Sequence, residues 1–251
     1  MGKVEKLFLV QKQLVFTDMT NPNIELGSMI HRRLKQAYNI DSERFIATKI
    51  RRVNLFEFIV AVILSQNTND YNAIKAYERL RSLCGGEITA KKILELSDED
   101  IMSSIKIAGM YRQRTKKIKE LAVIFNTRSI ETLVRDIERL DVENARKMLM
   151  KMPGIGAKTA DVVLLMYFSK PTFPVDTHIA RITRRLGYLS KYDYETIRKW
   201  WMTILKPEQY LETHLLLITH GRNVCKAIKP LCHKCVIINL CNLGKKIMGS
   251  G

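Results

Sequence analysis

Four cysteines crowd the end of the 251-residue chain in the spacing Cys225-x6-Cys232-x2-Cys235-x5-Cys241. Thiols gathered into 17 residues share one centre, and the choices are zinc, an iron–sulfur cluster or disulfides. Structural zinc usually takes two short Cys-x2-4-Cys knuckles, and only one short pair is present. A [4Fe-4S] cluster, with one thiolate at each of four corners, is the better match. Cys84 stands far away beside Gly85-Gly86 and reads as a buried or incidental thiol.

A second constellation is Met152-Pro153-Gly154-Ile155-Gly156-Ala157-Lys158-Thr159-Ala160, set between two helical patterns. Gly154 and Gly156 permit a tight turn and a close backbone approach, so their amides and the next helix start can seat a phosphate oxygen. An ordinary helix–helix turn with a glycine C-cap is the other reading. Lys158 falls in the first turn of that helix, where the macrodipole disfavours an ammonium. The position suits a nucleophilic amine, and equally a lysine that contacts phosphate or solvent. Eighteen residues on, Pro174-Val175-Asp176-Thr177-His178-Ile179 offers Asp176 as a helix N-cap, as a carboxylate facing Lys158 across a cleft, or as both. His178 reads as structural.

The elements that must hold these residues are helices. Apolar residues recur at helical spacing and no series of alternating strands is present, which predicts an all-α fold. Helices are expected near 24–38, 53–66, 69–83, 97–106, 112–125, 129–138, 142–152, 157–168, 177–187, 193–204 and 207–222. Leu55 to Leu64 is apolar on nearly every face except Glu57 and so predicts a buried hub. Lys170-Pro171-Thr172-Phe173-Pro174 breaks the helical pattern and marks an internal boundary. Residues 1–23 fit a short amphipathic helix or a strand pair.

Lys and Arg outnumber Asp and Glu by 42 to 25, a net charge of +17 that predicts a polyanionic partner. The longest apolar runs are about seven residues, too short to span a membrane. No cleavage site follows the N-terminal apolar patch, so an intracellular setting that disfavours disulfides is expected.

Together these residues resemble the endonuclease III family within the helix-hairpin-helix DNA glycosylases, over about 200 residues from near Leu55 onward. The resemblance implies a two-domain fold: a helical barrel domain over 53–170 that includes the hairpin, and an iron–sulfur cluster domain formed by 1–52 and 171–251. DNA would lie in the groove between them. It implies Lys158 and Asp176 as catalytic residues, Gly154, Gly156 and Lys229 as DNA contacts, and Cys225, Cys232, Cys235 and Cys241 as ligands of a [4Fe-4S] cluster. Ser65 to Asp70 matches the segment that fills the hole left in the duplex, with Asn67 where a glutamine is usual and Gln66 beside it. Ile107-Ala108-Gly109-Met110-Tyr111 matches the second wedge loop, with Met110 where a leucine is usual and Ala108 where a larger aliphatic is common. Leu231 stands at an often basic place. Relatives that remove adenine or mismatched thymine typically lack the lysine.

Lys158 therefore implies a bifunctional enzyme of base excision repair, which removes oxidised pyrimidines and cleaves the abasic site by β-elimination. A monofunctional mismatch glycosylase is the alternative. The implied partner is double-stranded DNA containing damaged bases or abasic sites, bound by a monomer that touches no membrane. Residues 1–50 exceed the family's usual N-terminal segment and carry no assigned function. A redox carrier or a non-catalytic DNA-binding module would leave both Lys158 and Asp176 unexplained.

Overall fold

The computed structural model describes residues 22–41, 45–50 and 53–249; most of the stretch left open above, 1–21, lies outside them. The described residues form helices and turns without strands. In order these are α1 (Pro22–Ala37), α2 (Ile46–Lys49), α3 (Leu55–Ser65), α4 (Asp70–Leu83), α5 (Ala90–Glu95), α6 (Asp98–Ile105) and α7 (Tyr111–Thr127). There follow α8 (Ile130–Arg139), α9 (Val142–Met150), α10 (Ala157–Met166), α11 (Thr177–Leu186), α12 (Tyr194–Ile204), α13 (Tyr210–Asn223) and α14 (Asn242–Gly249). None is long and apolar enough to cross a membrane.

Capping chemistry sets many of these starts. Asn54, Asn69, Thr89, Ser97, Ser129, Asp141, Asp176 and Asp193 each accept a hydrogen bond from the backbone N–H three residues on. Each such cap satisfies a donor the helix leaves free. The expected hub is α3: every residue from Leu55 to Leu64 is buried, with α2, α4, α7, α8 and α10 around it. Its one carboxylate, Glu57, accepts from Tyr77 Oη (2.6 Å), Arg81 Nε (3.1 Å) and the Ile88 amide (3.4 Å). That full set of donors makes a buried charge tolerable. Beyond the proline-containing linker, α1 packs on α12 and α13, and α11 packs on α13 and α14.

Three helices escape the periodicity. Of these, α2 and α5 have only four and six residues, too few to show a pattern, and α14 follows the cysteines. There Gly244 allows contact with Ile238, whose Cγ1 would stand 2.9 Å from an added Cβ.

A buried ionic network spans the linker. Asp161 on α10 is fully buried and faces Arg146 of α9 (3.1 Å) and Arg198 of α12 (3.2 Å). It also accepts from the Thr172 hydroxyl (2.7 Å) and the Tyr194 phenol (2.6 Å). Glu143 and Glu195 meet the outer sides of the two guanidinium groups. One carboxylate thereby joins α9 and α10 to the linker and α12.

Candidate active site and cysteine centre

The hairpin's two glycines do different work. Gly154 has φ +79°, and a Cβ there would meet Ile63 Cδ1 at 3.0 Å, so both the turn and the contact with α3 ask for glycine. Gly156 is extended (φ −92°, ψ −177°), a conformation open to any residue. It is exposed with nothing within 4 Å of an added Cβ, so an outside group can approach this part of the backbone closely. Gln66 braces this turn from α3: its carboxamide donates to the Gly154 carbonyl (3.0 Å) and the Thr159 hydroxyl (3.1 Å). That side chain is engaged with the hairpin, whereas Asn67 is exposed.

Over the hairpin lies a recess of about 540 Å³, lined by Asn67, Lys117, Gly154, Gly156 and Lys158. Lys158 also lines an adjoining cavity of about 550 Å³ whose walls include Asp176, His178, His214 and the loop after α3. Asp176 caps α11, accepting from the Ile179 amide through one oxygen (2.8 Å). His178 Nδ1 accepts from Arg181 Nη2 (3.0 Å), and burial lowers the proton affinity of its ring. Arg222, also on the cavity wall, pairs with Asp70 (2.6 Å) and lies over the Phe45 ring (5.3 Å), joining α13 to α4.

Sequence reasoning missed His214; its signal was a titratable residue directly before the apolar run Leu215–Ile218. Burial pushes its imidazole down from 6.5 to about 4, with Asp176 opposing and Lys158 adding to the shift. The ring is neutral at pH 7 and its Nδ1–H donates to the Pro174 carbonyl (3.0 Å). The unfolded chain takes up this proton below 6.5 and the folded one only near 4, so the group costs stability as pH falls through that window. Between pH 7 and pH 5 the loss should reach about 2 kcal/mol. Denaturant titrations of wild type and His214→Asn at both pH values check this; the same pH dependence in the two proteins contradicts it.

Asn67 (φ +52°) and Met110 (φ +50°) are both exposed and both left-handed. Each such residue costs about 1–2 kcal/mol, strain that surrounding structure must hold.

The four C-terminal cysteines surround one small cavity of about 20 Å³ together with Val224, Pro230 and Ile238. Donors point at the sulfurs: Arg185 Nη1 at Cys225 Sγ (3.2 Å) and the Gly244 amide at Cys241 Sγ (3.4 Å). His220 Nε2 is 3.5 Å from Cys235 Sγ, and its Nδ1 is 2.8 Å from the Tyr38 hydroxyl. Burial pushes the Cys235 thiol up to about 11, the other cysteines adding to the shift, and raises Cys241 as well. Thiolates gathered here need a cation to balance them. Among the described residues no group of three or more His, Cys, Asp or Glu side chains is arranged to hold a metal ion; the sulfurs ring a shared hollow instead. The loop that carries exposed, left-handed Lys229 is tied to α11 by Arg185, which donates to the Lys226 (2.7 Å) and Ala227 (2.9 Å) carbonyls. Cys84 is buried, as expected.

The chain matches the profile of the HhH-GPD superfamily base excision DNA repair protein over residues 60–207. It is 38% identical to endonuclease III of Sulfolobus acidocaldarius over 221 residues, 87% of this chain and 96% of that protein. With endonuclease III of Escherichia coli K12 it shares 31% identity over 201 residues, 80% of this chain and 89% of that one. The structure of a trapped endonuclease III–DNA covalent intermediate superposes with a TM-score of 0.70 at 29% identity, covering 89% of this chain and 96% of the other. A thermostable thymine-DNA glycosylase shares the fold, with a TM-score of 0.71 at 22% identity over 91% of this chain and 100% of its own. The profile match spans the hairpin, Lys158 and Asp176, and the chain belongs to the endonuclease III family within the HhH-GPD superfamily of base excision DNA repair proteins.

Proposed function

We propose that this protein is a bifunctional DNA glycosylase that removes oxidised pyrimidines from duplex DNA and then cuts the strand, with Lys158 as nucleophile and Asp176 as its catalytic carboxylate. The observation that carries this reading is that Lys158 lines both the recess over the hairpin and the cavity that also holds Asp176. An amine there is within reach of a sugar whose phosphate sits on the hairpin amides and whose base enters the cavity.

A base inside a duplex is inaccessible, so its nucleotide must swing out, at least cost where damage has weakened pairing. Asn67 and Met110, exposed at two loop tips, fill the gap. Lys158 Nζ bonds to C1′ as the glycosidic bond breaks, and the departing base takes up a proton. Asp176 stabilises the positive charge that develops on the sugar. Opening of the sugar ring leaves a Schiff base. Loss of a C2′ proton then expels the 3′ phosphate, breaking the strand on that side, and water releases the enzyme.

The domains we assign are 53–170 for the helical barrel and 1–52 with 171–251 for the cluster unit; contact of α1 with α12 and α13 supports joining the two chain ends. Cys225, Cys232, Cys235 and Cys241 suit a [4Fe-4S] cluster, because four sulfurs ring one hollow and the Arg185 guanidinium and the Gly244 amide donate to two of them. Such a cluster anchors the loop that presents Lys229 to phosphate and leaves no open coordination site for hydrolysis. Protein purified anaerobically should therefore be brown, with about four irons and four sulfides per chain. Stoichiometric zinc without iron contradicts that assignment. The enzyme acts inside the cell as a monomer on double-stranded DNA with damaged bases or abasic sites.

The test is incubation with duplexes that carry thymine glycol, an abasic site, a G·T mismatch or A·8-oxoguanine, assayed with and without alkali. Breaks at thymine glycol and at the abasic site without alkali are expected. Alkali-dependent breaks confined to a mismatch would identify a monofunctional enzyme instead.

A further inference from the structure

Arg114 sits in the first turn of α7, 3% exposed, and its guanidinium reaches no carboxylate among the described residues. Its partners are four backbone carbonyls at the ends of two separate helical segments. Nε donates to Gly109 (2.8 Å) and Nη2 to Ala108 (3.3 Å), at the end of the 3-10 turn Lys106–Ala108. Nη1 donates to Ile63 and Nη2 also to Gln66, at the end of α3. A cation there meets the negative ends of two helical segments at once, which compensates its burial without a counter-ion.

Two of the four acceptors are distinctive. The Gln66 carbonyl belongs to the peptide that leads into Asn67, and the Gly109 carbonyl to the one that leads into Met110. Asn67 and Met110 are the left-handed, exposed tips of their loops. Strained non-glycine residues persist only where neighbours over-determine them, and one planar five-donor fork grips the peptide before each tip.

We propose that Arg114 is a positioning residue for base excision: one guanidinium fixes the peptides that precede Asn67 and Met110, so the two tips enter the gap in the duplex as a single unit. This rests on the reading of those tips as gap-filling residues. Loss of Arg114 frees each tip to relax toward ordinary backbone angles, and the flipped nucleotide is held less often.

The test is a mutant cycle on the full-length, cluster-loaded protein. Single-turnover base release is followed on a duplex with thymine glycol opposite 2-aminopurine, whose fluorescence reports unstacking of the opposite base. Asn67→Ala is expected to slow release about tenfold in the wild-type background. Arg114→Met should slow it at least as much and dim the 2-aminopurine signal. Asn67→Ala added to Arg114→Met should then cost less than about twofold, because the tip is already displaced. A purely structural role for Arg114 predicts the full tenfold loss in both backgrounds, and that outcome overturns the proposal alone. If Asn67→Ala and Met110→Ala both turn over like wild type, the gap-filling reading falls and this proposal with it. Arg114→Lys repeats the cycle with the buried charge kept, which covers the case where Arg114→Met does not fold; a lysine cannot span both loops, so the same non-additivity is expected.

Discussion

Lys158→Gln is expected to lower base release and strand cleavage by roughly 10⁴-fold or more while duplex affinity stays within a few-fold of wild type. The asymmetry follows from what is removed. Glutamine keeps most of the length and the polarity that face the cavity, but it has no amine lone pair to bond to C1′. Binding draws on a chain with 42 basic residues, so one lost charge changes the salt dependence by at most about one counterion. Asp176→Asn separates the two duties of that residue, because an asparagine still caps α11. It should fold and bind DNA yet release base slowly. Single-turnover assays on thymine glycol duplexes, with affinities measured at two salt concentrations, check both variants; a Lys158→Gln enzyme within tenfold of wild type contradicts the assignment.

Asp161→Ala is expected to cost about 3–5 kcal/mol of stability. It would leave the guanidinium groups of Arg146 and Arg198, respectively 8% and 1% exposed, without their shared carboxylate. The hydroxyls of Thr172 and Tyr194 would lose an acceptor as well. Because the network crosses the linker, the contact of α9 and α10 with α12 should loosen first. Urea denaturation followed by circular dichroism measures the total, and hydrogen exchange across α12 locates it. An Asp161→Ala midpoint equal to that of wild type would show that the cluster contributes nothing net.

Much of this architecture is legible along the chain because its causes are local. Leu55 to Leu64 reads as a buried hub since ten consecutive positions lack a polar face apart from Glu57, and Asp176 announces the start of α11. Gly154, Lys158, Asp176 and the cysteine spacing are equally local patterns. What stays hidden depends on partners far apart in sequence. Asp161 sits one turn into an apolar helix and gives no sign that Arg198, 37 residues on, will close over it. Arg114 resembles any basic residue of a surface helix until Ile63, 51 positions earlier, is brought against it. His214 is hidden in the same way, since its neutrality in the cavity wall arises from burial, with Lys158 on a distant helix adding to the shift. Within the hairpin, only Gly154 of the two glycines takes the left-handed angle that a tight turn asks for.

The most direct test of the central claim is to identify the atom that joins the DNA. Wild-type protein is incubated with a thymine glycol duplex in the presence of borohydride, which reduces a Schiff base to a stable amine; the complex is then digested with protease and nuclease, and the modified peptide is sequenced by mass spectrometry. The account predicts one sugar-bearing peptide, with the added mass on Lys158 and none trapped from Lys158→Gln. A cross-link on any other lysine, or on the chain's N-terminal amine, would contradict it.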